Sequence, residues 1–465
     1  MKITSSYAVR LMVSRGLLDP TIQIYRDAAA FLIDVADREW DTLGPVFKKS
    51  KLLGQQSLEH LIHGTKSNPV PKYDFDSRFY KFPSYLRRAA MSAALGAVSS
   101  YRSNLKNWED SGAEGKPPRL SYERNAMPTF FRDNMSDSEA MLAGKSDTVY
   151  LKLYLNHDWV YHPIPCRHQD VKYLARWWSH VHASAPILEI QHRKGGKSIY
   201  QLRYAFEEYR ELGLRDEVLS NRTILAVDLG INNDAVCSVM CANGTVMARK
   251  FINFPREKDH LQHLLNRIKR LQREHGRTGG RHEWAKVNRI NNQLSRSIAH
   301  AIADFAAEYA VNVIVFEHLN IQGKIKGSKR QRLHLWRKQA IQKMVEHKAH
   351  RNLMRVSTIC AWNTSKLAFD GSGEIFRGYS RLTASELDEL IQLRSEKKEL
   401  PKRNHNQELC TFTNGKEYNC DLSASYNIGA RYFLREFCKE VPGLVDKLPK
   451  ATMRTYANLR ALAAS

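Results

Sequence analysis

The stretch that most constrains the fold is Ile224–Asn233. Its continuous apolar run, Ile224-Leu-Ala-Val, ends in a single carboxylate, Asp228, and Gly230 follows two residues later. A short apolar run of this kind is typical of a strand that is buried on both faces, and glycine lets the backbone turn sharply after it. The stretch therefore predicts a buried strand that delivers one carboxylate at its carboxyl end.

Two further acids stand in comparable settings. Glu317 ends the apolar segment Val313–Glu317, and Asp421 opens a helical segment, Asp421-Leu-Ser-Ala-Ser-Tyr-Asn-Ile-Gly429. Taken singly, each acid has an ordinary explanation as a cap, a turn residue or a strand end. Taken together, they suit cleavage of a phosphodiester by two metal ions, which needs several carboxylates held close to one another. We expect all three to be catalytic and to bind Mg²⁺ or Mn²⁺.

The order of elements around these acids is that of an α/β fold of the RNase H type. The hydrophobic pattern predicts three consecutive strands, two helices, a strand ending in Glu317, a helix, a strand, and finally the helix that carries Asp421. The strands are expected at residues 223–229, 234–241, 245–252, 311–316 and 354–359. The ends of adjacent strands and the start of a helix packed on them can bring three distant carboxylates together.

Two other classes of protein share part of this pattern. ATPases of the actin and Hsp70 type also begin with Asp-Leu-Gly after an apolar strand, but they have further glycine-rich phosphate loops, and the sequence has none near Glu317 or Asp421. Transposases of the DDE class use three acids in the order Asp, Asp, Glu. The order here is Asp, Glu, Asp, as in RuvC-type nucleases.

The charge balance indicates a polyanionic partner. The chain has 465 residues, with 72 Lys and Arg against 48 Asp and Glu, a formal net charge of +24. Such a balance favours nucleic acid over a membrane surface, and the length indicates several domains. No apolar run is long enough to span a bilayer, the N-terminus lacks the apolar core of a signal peptide, and seven irregularly spaced cysteines suit a reducing cytosol. We expect a cytoplasmic protein.

The N-terminal part predicts a lobe of strands and helices. Alternation indicates strands in residues 1–16 and again after residue 120, whereas residues 17–110 are helical, with Asp19-Pro20 as the expected start of the first helix. We predict a β-rich, barrel-like domain (residues 1–16 and 120–215) and a helical domain (residues 17–119) inserted into it.

Three basic segments are candidates for contact with nucleic acid. The candidate residues are Lys72, Tyr73, Arg87, Arg88, Arg256, Arg267, Lys269, Arg270, Arg273, Lys329, Arg330 and Arg332. Basic residues beside aromatic ones suit phosphate contact and base stacking. The alternatives are aromatic packing at a domain edge for the first segment and a solvated amphipathic helix for the second.

The residues around the three acids resemble a known family. Asp228-Leu-Gly-Ile-Asn, Phe316-Glu-His-Leu and Cys420-Asp-Leu-Ser-Ala-Ser-Tyr-Asn-Ile resemble the three RuvC motifs of the transposon-encoded TnpB proteins and the miniature type V CRISPR effectors. Asn363-Thr-Ser-Lys366 is similar to the Thr-Ser element before their zinc ribbon. The resemblance implies a prokaryotic, nucleoid-associated, RNA-guided DNA endonuclease. Its partners would be a guide RNA and double-stranded target DNA, with one or two copies on the RNA.

The sequence departs from that family between the second and third acids. The family carries two Cys-x-x-Cys pairs there, whereas Leu367–Gly373 stands in place of the first pair and only Cys410 and Cys420 lie near the second. A tetrahedral zinc site needs four ligands, and only His405 could join these two cysteines, so no zinc is expected. We predict a RuvC-like nuclease domain (221–365 and 418–440), an atypical nucleic-acid-loading insertion (366–417) and a basic tail (441–465). The charged segment Ser380–Asn406 is expected to form a helix pair.

Two alternatives to RNA-guided cleavage stay open. One is an RNA-guided DNA-binding regulator that does not cut, and the other is a structure-specific nuclease that needs no guide. The sequence leaves open whether a guide comes from a transposon end or a CRISPR array, and also the flanking motif and the cut pattern.

Overall fold

The structure of the chain is a computed structural model. It describes residues 2–66, 68–121, 128–130, 135–136, 138–192, 198–211, 218–276, 279–318, 329–441 and 443–464. Within these ranges, the side chains of Lys329, Arg330 and Arg332 are among a few that are not described. The chain divides into two compact units, an N-terminal unit of residues 2–209 and a C-terminal unit of residues 210–465.

The N-terminal unit combines helices with two sheets. Its elements are β1 (Lys2–Arg10), α1 (Arg15–Arg38), α2 (Trp40–Lys49), α3 (Lys51–Ile62), α4 (Phe75–Arg78), α5 (Ser84–Asp110), β2 (Met135–Ser136), α6 (Ser138–Leu142), β3 (Thr148–Leu155), β4 (Asp158–Pro165), α7 (His168–Trp178), β5 (His182–Ala183), β6 (Ile187–His192) and β7 (Ser198–Tyr209). Among the described strands, β7 pairs with β1, β5 and β6 in one sheet, and β2, β3 and β4 form another.

The helices of this unit lie, in chain order, between two paired strands. Strand β1 runs antiparallel to β7, from Lys2 opposite Tyr209 to Arg10 opposite Gln201, and α1 to α5 follow β1 directly. Buried residues of the helices and of both sheets form one continuous apolar cluster. The chain therefore leaves the sheet after β1 and returns to it, as an inserted helical block requires. A separate barrel-like domain stays a prediction.

The predicted start of the first helix is wrong by one turn. Helix α1 begins at Arg15, and Pro20 lies inside it. Leu18 is fully buried, so its burial favours the extra turn although Pro20 has no amide hydrogen to give to the carbonyl of Gly16. Asp19 does not cap the helix but accepts a hydrogen bond from the hydroxyl of Tyr200.

The C-terminal unit is built on a five-stranded sheet. Its elements are β8 (Thr223–Asp228), β9 (Ala235–Cys241), β10 (Val246–Ile252), α8 (Pro255–His275), α9 (Arg281–Glu308), β11 (Val313–Glu317), α10 (Lys329–Arg351), β12 (Arg355–Ile359), β13 (Phe376–Arg377), α11 (Ala384–Ser395), β14 (Leu409–Thr411), β15 (Glu417–Asn419), α12 (Cys420–Glu440), α13 (Leu444–Lys447) and α14 (Tyr456–Ala464). The strand order is β10-β9-β8-β11-β12. Strands β8, β9 and β10 are antiparallel neighbours, whereas β11 is parallel to both β8 and β12.

Strand β8 is buried on both faces, as its apolar run predicts. Leu225 and Val227 belong to the cluster formed with α9 and α10, while Ile224 and Ala226 belong to the cluster formed with α12. This alternation follows from the two-residue period of a strand. The predicted order of strands and helices from β8 to β12, and the later helix α12 with Asp421, is confirmed, whereas β13, β14 and β15 were not predicted. None of its described helices, nor of those in the N-terminal unit, is both long and apolar enough to cross a membrane.

Residues 366–419 contain a small three-stranded sheet and one helix. Strand β14 pairs with β13 and β15, and α11 begins with a reciprocal capping box between Thr383 and Glu386. The prediction of a helix pair in Ser380–Asn406 is half wrong, because the described residues 396–408 contain no second helix. Pro401 lies there, and its carbonyl accepts a hydrogen bond from the Tyr379 hydroxyl at 2.6 Å.

Candidate functional site

Asp228 and Glu317 lie at the same edge of the central sheet. In the parallel ladder of β8 and β11, Val227 is paired with Phe316. The next residues, Asp228 and Glu317, therefore end two neighbouring strands that are about 4.8 Å apart. Asp228 is buried, with 7% of its surface exposed, and Glu317 is half-buried. The sheet thus brings together two carboxylates that are distant in sequence.

Asp421 reaches the same edge from helix α12. The side chain of Asn419 caps this helix by accepting a hydrogen bond from the amide of Leu422 at 3.0 Å. Asp421, in the first turn, lies against the turn that follows β8. A Cβ atom added to Gly230 would be only 3.2 Å from Oδ2 of Asp421. Glycine at position 230 therefore leaves room for the third carboxylate beside Asp228.

The three acids interact electrostatically. Burial, followed by the negative charges of Glu317 and Asp421, raises the pKa of Asp228 to about 8. The positive charges of Lys338, on α10, and Arg377, on β13, act in the opposite direction. The site therefore concentrates more negative charge than its own cations offset.

Arg377 and Thr364 each donate a hydrogen bond to a carboxylate of this site. Arg377 donates a hydrogen bond from Nη2 to Oδ1 of Asp421 at 2.7 Å, and another from Nε to the carbonyl of Gln407 at 3.0 Å. The hydroxyl of Thr364 donates to Oε1 of Glu317. Thr364 belongs to the Thr-Ser element of the sequence, whereas no sequence pattern marks Arg377, which lies 44 residues before Asp421.

The acids suit a hard cation in chemistry but not in their present arrangement. Three carboxylates supply the oxygen ligands that Mg²⁺ and Mn²⁺ prefer. In the part of the chain that the structure describes, however, no three His, Cys, Asp or Glu side chains are placed to hold one metal ion. One oxygen of Asp421 is held by Arg377 and one of Glu317 by Thr364. The chemistry of the three carboxylates thus fits a divalent cation, while Arg377 and Thr364 each hold one carboxylate oxygen of the site.

Helix α12 also fixes the segment that carries Thr364. The amide Nδ2 of Asn427 donates to the carbonyls of Thr364 at 3.0 Å and Leu367 at 2.9 Å. The buried guanidinium of Arg431 donates to four carbonyls, those of Cys360, Trp362, Thr452 and Arg454. Sequence reasoning missed both residues, although Asn427 lies inside the quoted motif around Asp421.

The two remaining cysteines of the insertion lie in an apolar cluster. Cys410 and Cys420 are fully buried with Ala368, Ile375 and Phe412. His405 is half-buried, and its ring nitrogen lies 2.9 Å from the carbonyl of Asn406. Apolar packing therefore supports this small sheet.

A basic cleft opens beside the acids, in the same insertion. Its volume is about 620 Å³. The charged side chains that line it are Lys366, Glu374, Arg377, Arg394, Lys402 and Arg403. Five of these six are cationic, and the single acid lies 3.7 Å from Arg394. We name this the Arg377 cleft. It suits an anionic ligand that contacts Arg377, whose guanidinium also reaches Asp421.

The candidate nucleic-acid contacts of the N-terminal unit differ in their exposure and in their partners. Arg87 is buried, and its guanidinium pairs with Glu59 and Asp76, both at 3.2 Å. The prediction that Arg87 contacts nucleic acid is therefore corrected, because burial and these ion pairs assign it to the interior. Lys72 and Tyr73 both bond to the carboxylate of Glu39 at 2.6 Å. Arg88 is exposed.

Helix α8 presents the second candidate segment. Leu261, Leu264 and Ile268 are buried on one side of the helix, while the side chains of Arg256, Arg267, Lys269, Arg270 and Arg273 are exposed. Arg267 lies 3.5 Å from Glu283, and Arg270 lies 3.9 Å from Glu274. An exposed basic face suits a polyanion, and contact with nucleic acid stays a prediction. Lys329, Arg330 and Arg332 begin α10, and their side chains lie outside the described part.

Comparison with known proteins gives a sequence match in the N-terminal unit. A family model described as the Aq_aa04 family matches residues 4–155. The uncharacterized protein aq_aa04 of Aquifex aeolicus (strain VF5) is 32% identical over 114 residues, which are 23% of this chain and 64% of that protein. The chain therefore matches less than two thirds of this relative's length.

Solved structures of RNA-bound effectors resemble the chain over most of its length. The Cas12f1 chain of a complex with sgRNA and target DNA has a TM-score of 0.46 and 14% identity, and the match covers 91% of this chain and 99% of that one. A Cas12i chain with crRNA and dsDNA has a TM-score of 0.44 and 9% identity, covering 92% and 67%. C2c1 of Alicyclobacillus acidoterrestris with single-guide RNA has a TM-score of 0.42 and 9% identity, covering 88% and 70%. At TM-scores this low, the likeness carries no conclusion about activity.

Proposed function

We propose that the chain is an RNA-guided DNA endonuclease that cuts at a single site formed by Asp228, Glu317 and Asp421. The observation that carries the proposal is the meeting of these three acids at one edge of the central sheet, beside the basic Arg377 cleft. The strand order, with an antiparallel meander followed by two parallel strands, supports an RNase H-like domain. The net charge of +24 supports nucleic-acid partners, namely a guide RNA and double-stranded target DNA.

A divalent cation, Mg²⁺ or Mn²⁺, is part of this proposal. When bound, it would supply charge neutralisation at the scissile phosphate and an activated water molecule. The contribution of the chain itself is to hold the three carboxylates in position. Asp228 and Glu317 are fixed by their strands, and Asp421 is fixed by the cap of α12. The Arg377 cleft would hold the phosphates of the strand on the approach to these acids.

The second candidate is an RNA-guided DNA-binding protein that does not cut. The ion pair between Arg377 and Asp421 favours it, because a permanent bond there would keep one carboxylate from a cation. A nuclease that needs no guide is the third outcome to be tested.

One experiment separates the three. The full chain is expressed with its native flanking DNA, the copurifying RNA is sequenced, and DNA that matches this RNA is incubated with the complex and Mg²⁺. We expect one defined RNA and cutting of matching DNA only. Tight binding of matching DNA without product would support the regulator. Cutting without a defined RNA would support the guide-independent nuclease.

The matched variant is Asp228→Ala. It should abolish cutting and still copurify with the same RNA, because Asp228 lies at the sheet edge and not on the exposed basic faces. If Asp228→Ala cuts DNA as fast as the unchanged chain, the assignment of the site to these acids is wrong.

A further inference from the structure

We infer that Arg377 is a gate that couples the binding of a nucleic-acid strand in the Arg377 cleft to the binding of a divalent cation by the three acids. In the absence of a strand, Arg377 holds Asp421. When a phosphodiester enters the cleft, its phosphate takes over the guanidinium and frees the carboxylate for the cation. This inference rests on the proposed function only in taking Asp228, Glu317 and Asp421 as cation ligands.

The position of Arg377 fits a gate between two compartments. It is part of the wall of the cleft, and its guanidinium reaches Oδ1 of Asp421 at 2.7 Å. One third of its side chain, 33%, is exposed, whereas only 5% of the Asp421 side chain is exposed. A ligand in the cleft can therefore reach Arg377 before it can reach the acid behind it.

The main chain on both sides of this contact is held in place. Arg377 is paired through its backbone with Cys410 in the small sheet, and Asn419 caps the helix that carries Asp421. The change from the closed to the open arrangement is therefore a movement of the Arg377 side chain, which gives up its bonds to Asp421 and to the carbonyl of Gln407. The long side chain of arginine has the rotamer freedom for such a movement.

The charges of the cleft select the ligand. Lys366, Lys402 and Arg403 line it together with Arg377 and Arg394. Arg394 is already engaged, since its guanidinium stacks on the ring of Phe376 at 3.7 Å. The remaining cations favour a ligand with several negative charges along its length. A guanidinium binds phosphate oxygens as well as it binds a carboxylate, so a strand of nucleic acid can compete for Arg377.

Release of Asp421 changes the affinity of the acids for a cation. With Arg377 withdrawn, Asp421 adds an unpaired negative charge beside Asp228 and Glu317, and the repulsion among the three is relieved by a divalent cation. Strand binding and cation binding then favour each other, and the coupling must be equal in both directions.

The test measures cation binding without any cutting. Mn²⁺ is titrated into the full chain, and free Mn²⁺ is followed by electron paramagnetic resonance, first alone and then with a short single-stranded oligonucleotide. Blank titrations of the oligonucleotide alone are subtracted. We expect the oligonucleotide to tighten Mn²⁺ binding to the unchanged chain by about tenfold or more, in the range of ordinary coupling between sites. An oligonucleotide with uncharged methylphosphonate links should have no effect.

Arg377→Gln is the diagnostic variant. Without nucleic acid, it should bind Mn²⁺ as tightly as the unchanged chain does with the oligonucleotide, and the oligonucleotide should add nothing further. Arg377→Lys keeps the charge but loses the forked donor. Its Mn²⁺ affinity without nucleic acid should lie between those of the unchanged chain and Arg377→Gln. Lys397→Gln removes an exposed positive charge of the same insertion outside the cleft lining, and should leave both the Mn²⁺ affinity without nucleic acid and the oligonucleotide effect unchanged. Circular dichroism checks that each variant is folded.

Two results would overturn the inference. One is equal Mn²⁺ affinity of the unchanged chain and both Arg377 variants in the absence of nucleic acid. The other is an oligonucleotide effect of the same size in Arg377→Gln as in the unchanged chain. A chain that shows the coupling but never cuts matching DNA would overturn the proposed nuclease and leave the gate standing. A chain that cuts matching DNA but shows no coupling would overturn the gate and leave the proposed nuclease standing.

Discussion

The buried carboxyl of Asp228 makes the stability of the chain depend on pH. Its pKa is raised to about 8 in the folded chain by burial and by the neighbouring acids, whereas the unfolded chain has an ordinary Asp pKa of about 4. Between these values the folded state binds the extra proton. The favourable contribution of Asp228 is therefore complete below about pH 4 and is lost as the pH rises towards 8.

Asp228→Asn should stabilise the chain at high pH. In a metal-free buffer at pH 8, the variant should melt a few degrees above the unchanged chain, because Asn carries no charge to be buried. At pH 5, only about one pH unit above the unfolded pKa, the difference should be much smaller. Asp259→Asn, on the exposed face of α8, is the matched control and should show no such trend. Equal melting temperatures of Asp228→Asn and the unchanged chain at both pH values would contradict the prediction.

Arg87 and Arg88 form a natural pair for separating stability from binding. Arg87 is buried and paired with Glu59 and Asp76, so Arg87→Ala should lower the free energy of unfolding by about 1–3 kcal/mol. Arg88 is exposed, and Arg88→Ala should weaken RNA binding at low salt while the melting temperature stays the same. Thermal melts and filter-binding titrations measure the two effects. If Arg87→Ala were as stable as the unchanged chain but bound RNA weakly, the original prediction that Arg87 contacts phosphate would be supported.

Helix α12 depends on small residues to lie close to the central sheet. A Cβ atom added to Gly429 would be 3.0 Å from Sδ of Met240 and 3.3 Å from Cβ of Ala226. The hydroxyls of Ser425 and Ser238 approach to 2.5 Å across the same contact. Because Asp421 belongs to this helix, the close approach also sets the position of the third acid.

Gly429→Val should therefore destabilise the C-terminal unit. The added branched side chain overfills the contact with the sheet, which typically costs about 1–3 kcal/mol. Glu440→Val, at the exposed end of the same helix, tests the effect of a β-branched residue alone and should cost much less. Chemical denaturation with a probe of tertiary structure measures both. If the two variants lose the same amount of stability, the close contact at Gly429 is not what limits the packing.

Elements with a strong local signal could be predicted from the sequence. An apolar run that ends in an acid marks strand β8 and strand β11, and the Asp421 motif marks the start of α12. Signals that depend on tertiary contacts could not be predicted. Nothing near Arg377 in sequence shows that its guanidinium contacts Asp421. The aromatic and basic residues around Arg87 in sequence suggested an exposed nucleic-acid contact, although Arg87 is buried. The start of α1 was predicted too late for a related reason. The burial of Leu18 favours helix before Pro20, although Pro20 cannot donate a backbone hydrogen bond.

At the scale of the whole molecule, the apolar cores follow the division into two units. One buried cluster contains the residues of the N-terminal unit, and the clusters around the central sheet contain residues of the C-terminal unit only. Strands β1 and β7, which close the first sheet, both lie within residues 2–209. Each unit thus contains its own core and its own sheet partners, as an independently folding domain requires.

We expect residues 1–209 and residues 210–465 to fold when each is expressed alone. Each piece should show a cooperative thermal transition by circular dichroism, close to a transition of the intact chain. The control is a piece of residues 17–209, which lacks β1 and with it the antiparallel partner of β7 and the buried Val9 and Leu11. It should lose the cooperative transition, because an uncovered β7 leaves both backbone hydrogen bonds and apolar surface unsatisfied. Cooperative folding of residues 17–209 would mean that the helical block is stable without the strand that precedes it, which would favour the predicted separate helical domain over a shared core.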